Sequence, residues 1–191
     1  MKLLFRPLCW SLSLVGLCLV EIAASPVLAE KNVFTETFNI SPTNCEGLDL
    51  DGVLYSFTVD GSPSLECLVD GGPSTNNIQP PNIQGPAPSV LHLNFDVPTT
   101  EFGFGVAQNT NVSPQSVIVD LFRPGAGLLR EEVPLITTND PFFVGGRYDY
   151  HGPAVKTVTI SFRNGAPSPG IPGRFVIDNV SYFRPPGQSK K

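Results

Sequence analysis

From residue 33 onward, apolar and polar residues alternate in short runs, and Pro, Gly or Asn interrupts them every dozen residues or so. A period of two places alternate side chains on opposite faces of an extended chain. Short runs with turn residues between them describe an antiparallel sandwich or barrel, not βαβ units. About nine strands are expected: Val33–Asn39, Gly52–Val59, Val90–Val97, Glu101–Ala107, Ser116–Phe122, Leu128–Ile136, Phe142–Tyr150, Val155–Phe162 and Arg174–Phe183. No stretch carries a helical period with caps.

Three of these runs are informative. Leu91, Leu93, Phe95 and Val97 share one face, with His92, Asn94 and Asp96 on the other. Phe102, Phe104 and Val106 share a face whose reverse holds only Gly103 and Gly105, a bare strip that a ligand or a second backbone can approach. In the last run Phe175 and Ile177 have one parity, while Val180 and Tyr182 have the other. Burying both sets requires a bulge near Asp178-Asn179 or cover on both faces.

Two segments read as loops. Residues 70–89 carry five prolines, too long a stretch for an ordinary hairpin, and suit a binding loop or a mobile segment. Residues 164–173 form a turn-rich connection.

The N-terminus has the form of a secretory signal peptide over residues 1–29. Lys2 and Arg6 precede an apolar run from Cys9 to Val20, and Val27 and Ala29 supply small residues before Glu30. Glu21 cuts the run short of the roughly 20 residues that span a bilayer, and Leu8 and Leu17 before Cys9 and Cys18 are too bulky for lipoprotein processing. No transmembrane segment is expected, and residues 185–191 read as a polar tail. Residues 30–184 suit a single domain. Gly and Pro, 18 and 20 of 191 residues, stay below the roughly 25–30% typical of low-complexity chains. The formal net charge of −5, with no basic stripe, excludes a nucleic-acid partner. Export leaves Cys45 and Cys67 in an oxidising compartment, where they are expected to form one disulfide.

Catalytic signatures are scarce. The exported part has two His and no GxSxG, HExxH or phosphate loop. Glu131 and Glu132 point to opposite faces of a strand, and Asp49 and Asp51 read as a solvated turn beside Gly52. The polar-aromatic run Arg147-Tyr148-Asp149-Tyr150-His151 offers a glycan site, with Arg147, Tyr148 and Tyr150 as contacts: rings stack on sugar faces, and charged groups bond hydroxyls. The alternative is that Tyr148 and Tyr150 are half-buried residues of a strand.

The Phe-Gly-Phe-Gly-Val strand (102–106), Val-Ile-Val-Asp-Leu-Phe (117–122), Phe142-Phe143-Val144-Gly145, residues 155–162 and the closing Arg-Phe-Val-Ile-Asp-Asn-Val-Ser-Tyr (174–182) together resemble the secreted jelly-roll domains of bacterial PEP-CTERM-type surface proteins. They are similar also to galactose-binding-like carbohydrate-binding modules. The sorting tail of the former is missing. The resemblance implies an antiparallel jelly-roll β-sandwich and an extracellular carbohydrate ligand. It also implies a structural calcium (Ca2+) held by Glu36 and Asp178. The expected function is that of a non-enzymatic binding domain, secreted to the extracellular space or periplasm, whose partner is a glycan or an envelope component. The alternative is a structural envelope or matrix protein that acts through protein–protein or self-association.

Overall fold

The structure is a computed structural model and describes residues 33–76, 78–110, 115–163 and 172–185. The expected signal peptide, most of the 164–173 connection and nearly all of the polar tail lie outside these residues. The described chain forms thirteen strands: β1 (Val33–Glu36), β2 (Thr43–Asn44), β3 (Asp49–Leu50), β4 (Val53–Val59), β5 (Ser62–Pro63), β6 (Leu68–Asp70), β7 (Asn82–Ala87), β8 (Ser89–Asn109), β9 (Ser116–Arg123), β10 (Gly127–Pro134), β11 (Ile136–Thr137), β12 (Val144–Phe162) and β13 (Gly173–Phe183). All the pairings between them are antiparallel. The fold is all-β and antiparallel, as the alternation predicts, and is the jelly-roll β-sandwich that the resemblance implies.

The strand count differs from nine for two physical reasons. The four runs around Pro98 and Gly152-Pro153 are two long strands, β8 and β12, each bent where the turn residues fall. The register of β12 against β8 slips between His151 and Thr157. Each long strand therefore serves two layers. The first half of β8 pairs with β4 and with the second half of β12, which pairs in turn with β9, and β9 with β10. The second half of β8 pairs with the first half of β12 and with β13, and the layer continues through β7 and β6 to β2. The second reason is β7, which forms within the expected 70–89 loop despite Pro86. The remaining additions are strands of two or three residues.

Inward-facing residues of the two layers meet in one core. Tyr55, Phe57, Leu91, Leu93, Phe95, Val119, Ile160 and Phe162 come from the first layer, and Phe102, Phe104, Val106, Phe175, Ile177 and Tyr182 from the second. Phe162 stacks on Phe175 with centroids 3.8 Å apart, and Phe95 packs against Phe102 and Tyr182 at 5.5 and 5.6 Å. Each such buried side chain contributes roughly 1.5–3 kcal/mol.

The closing strand solves its parity conflict with a bulge. Pairing of β13 with β8 breaks between Asp178 and Ser181, and Asn179 adopts φ 51°. Phe175, Ile177, Val180 and Tyr182 all face the core in consequence. Cys45 and Cys67 form the expected disulfide with Cα atoms 5.3 Å apart, stapling β2 to β6 at the edge of the second layer.

Candidate functional site

The outer face of the second layer carries the polar groups of the Arg147–His151 run. Alternation along β12 turns Tyr148 and Tyr150 inward, where they are 7% and 6% exposed, and turns Arg147, Asp149 and His151 outward. Tyr148 packs on Phe102 and Phe104, with centroids 6.2 and 5.4 Å away. Its hydroxyl donates to Glu131 Oε2 on the inner side of β10, linking the two layers. Burial first, and then the Glu131 carboxylate, push the Tyr148 hydroxyl well above the usual phenol range. Tyr150 Oη donates to the Pro153 carbonyl at 2.8 Å. The two rings thus belong to the core and do not present open stacking platforms; both border hollows at the surface.

Outside, Arg147 grips Asp149 with two parallel bonds, Nε to Oδ2 at 3.0 Å and Nη2 to Oδ1 at 2.8 Å. The two side chains are 43% and 51% exposed, so the pair contributes at most about 1 kcal/mol to stability. His151 Nδ1 lies 3.8 Å from Glu101 Oε2 on β8. Between these pairs runs the glycine strip, but Gly103 and Gly105 are both buried, so the bare face expected of them is covered. Gly103 sits opposite Asp149 on one side and Ser181 on the other, and Gly105 opposite Arg147 and Asp178. A Cβ at Gly103 would meet Asp149 Oδ1 at 2.6 Å and Ser181 Oγ at 3.0 Å, so the glycine lets both polar groups close over the strand.

Two hollows flank Asp149. One, of about 180 Å³, is bordered by Val33, Glu101, Asp149, His151 and Ser181. The other, of about 480 Å³, is bordered by Glu131, Glu132, Pro134, Arg147 and Tyr148. Glu131 and Glu132 do face opposite sides of β10: the first bonds Tyr148, and the second accepts from Ser116 Oγ and pairs with Arg163 at 3.3 Å. The structure therefore brings Arg147 and Tyr148 to one hollow and Tyr150 to the next, with Asp149 shared. Asp149 and Gly103 are the residues that sequence reasoning left off the contact set, although the Phe-Gly-Phe-Gly alternation pointed at the second.

The two expected calcium ligands are not brought together. Glu36 lies opposite Val180, and residues paired across strands share a face. Val180 faces the core, so Glu36 stands on the inner side, where its carboxylate accepts the Phe38 amide at 2.7 Å. Asp178 shares the outer face with Val176, two residues before it, and the bulge separates it from Val180. Its Oδ2 accepts the Gln79 amide at 2.9 Å and the Asn179 side chain at 3.1 Å. Oδ1 has no partner among the described residues, and the residue is 2% exposed. Burial pushes this carboxyl above the usual carboxylate range, against the opposing effect of the backbone bonds. No group of three or more His, Cys, Asp or Glu suited to a metal occurs among the described residues.

The segment before β7 also differs from a free loop. Ile78, fully buried, seats on Ala107 and Val176 with Phe143 beside it, covering the middle of the outer face. No helix among the described residues is long and apolar enough to cross a membrane.

No family model matches the chain, and no curated protein does. Among solved structures, a single-site mutant of a family 29 carbohydrate-binding module is similar at 10% identity and a TM-score of 0.41, over 80% of this chain and 92% of that one. A second mutant of that module, complexed with cellulohexaose, is similar at 10% identity and a TM-score of 0.40 over the same shares. A third, complexed with mannohexaose, is similar at 11% identity and a TM-score of 0.39, over 76% and 92%. None of these three structures carries the likeness to PEP-CTERM-type surface proteins.

Proposed function

We propose that the protein is a secreted, non-catalytic carbohydrate-binding domain that holds its ligand on the outer face of the second layer. The observation that carries this reading is the exposed Arg147–Asp149 fork, set between two surface hollows on the outer face of the second layer. A bidentate pair worth so little to stability, open to solvent at the edge of both hollows, presents planar donors and acceptors at a spacing that suits adjacent hydroxyl groups. His151, Glu101 and Ser181 extend the same polar rim. The disulfide supports an oxidising, extracellular location. A glycan array probed with the purified chain, followed by titration of the best saccharide, tests the reading. Arg147→Ala and Asp149→Ala are expected to weaken binding at least about tenfold, as loss of a charged hydrogen bond does. Unaltered affinity in both variants counts against this site.

The second reading, a matrix or envelope protein acting by self-association, is favoured by one observation. Phe122 and Leu128 pair across the β9–β10 hairpin and are 53% and 61% exposed. Sedimentation over a range of concentrations separates the two: a monomer throughout removes this alternative.

A further inference from the structure

A second groove opens on the same outer face, on the far side of the segment that Ile78 pins down. It has a volume of about 480 Å³ and draws on β6, β7 and β13, within the roughly 300–1,000 Å³ typical of small-molecule sites. Its centre is a fixed guanidinium. Gln84 is 5% exposed and uses both ends of its amide: Nε2 donates to the Gly71 carbonyl at 3.0 Å, and Oε1 accepts from Arg174 Nη2. One corner of the Arg174 guanidinium is thereby anchored, and Arg174 forms no ion pair with a carboxylate among the described residues. Among the described residues, its other guanidinium N–H groups have no hydrogen-bond acceptor.

The remaining walls are complementary to that donor. Glu66 and Asp70 supply carboxylates, and Leu68, 44% exposed, stands opposite Gln84 with Pro86 nearby. Donors, acceptors and an apolar patch in one groove match a molecule whose hydroxyls both donate and accept and whose ring has a C–H face. Two carboxylates against one guanidinium disfavour an anion. We infer that the Arg174–Gln84 groove is a second binding site for a neutral saccharide, separate from the Arg147–Asp149 strip. The identification of saccharide as the ligand class rests on the function proposed above; the groove itself stands apart from it.

Two sites on one face make the domain bivalent toward a polysaccharide, and a single chain that reaches both is held far more tightly than either site alone holds it. The test is titration calorimetry of the disulfide-bonded protein with neutral hexose disaccharides and hexasaccharides. Arg174→Ala and Leu68→Asp are each compared with Arg147→Ala, and thermal melts establish that every variant is folded. The expected result is two disaccharides bound per wild-type chain and one in each variant, with at least about a tenfold loss of hexasaccharide affinity. If Arg174→Ala and Leu68→Asp leave stoichiometry and affinity unchanged while Arg147→Ala weakens binding, the second site does not exist and the first stands. If only the Arg174 and Leu68 variants lose binding, the groove is the site and the strip is not. A wild-type chain that binds no saccharide of the series overturns both.

Discussion

Asp149 closes over Gly103: its Oδ1 stands 2.6 Å from where a β-carbon at position 103 would be. The relationship couples backbone to site, because the same Oδ1 accepts the Arg147 Nη2 bond at 2.8 Å. Gly103→Ala is expected to displace Asp149 and to press on the Tyr148 carbonyl, 2.9 Å from the added carbon. Overpacking of this kind costs about 1–3 kcal/mol. Urea denaturation checks the loss of stability, and saccharide titration checks the accompanying loss of affinity. A variant as stable as the parent contradicts the close approach.

The disulfide closes a loop of 22 residues at a layer edge where β2 and β6 are very short. Replacing Cys45 and Cys67 together by Ala is expected to cost about 3 kcal/mol on the loop-entropy model. The fall in the urea midpoint measures it. Two free thiols in the untreated protein, recovered from an oxidising compartment and seen by intact mass before reduction, contradict the bridge.

Asp178 gives a pH dependence of definite sign. Its folded-state carboxyl is raised above the unfolded value by burial, so the folded protein holds the proton more tightly. Stability contributed by this group therefore falls as pH rises from the unfolded carboxylate value through the raised folded one, and the penalty persists above. Asp178→Asn is expected to raise the melting temperature at pH 7 relative to the parent, with the gain shrinking below about pH 4, near the ordinary Asp value. Melting curves of both proteins across that range measure the difference. A gain that is constant with pH contradicts a buried, charged carboxylate.

Tyr148 and Tyr150 separate core from contact. Both rings are buried, and both hydroxyls have internal partners. Tyr150→Phe is expected to lower stability by about 1 kcal/mol, the net worth of one hydrogen bond, and to leave saccharide affinity unchanged. A loss of affinity without loss of stability in this variant returns Tyr150 to the contact set.

Alternation made much of this legible, and the losses have physical causes. Phe175, Ile177, Val180 and Tyr182 announced the bulge because all four are large and apolar and no single-phase strand buries them together. The glycines at 103 and 105 were equally plain, but the open strip expected of them is covered, because Asp149 and Ser181 close over Gly103. Pro98 and Gly152-Pro153 hid the continuity of β8 and β12, since the signals that end a strand are also those that bend one. Pro80, Pro81, Pro86 and Pro88 hid β7. Glu36 and Asp178 lie on neighbouring strands, but their faces depend on the phase shift at Asn179, whose position the residue pattern does not specify. The Arg174 groove left no local trace, because Glu66 before β6, Gln84 on β7 and Arg174 on β13 are far apart in the sequence.

The most direct test of the central claim is a nuclear magnetic resonance titration of the isotope-labelled protein with its best-binding saccharide, followed residue by residue. The account predicts that the largest amide shifts fall on Gly103, Gly105, Arg147, Asp149, His151 and Ser181, along the outer face of the second layer. Shifts concentrated instead on the outer face of the first layer, around His92, Phe122 and Leu128, with the Gly103 strip unmoved, would contradict it.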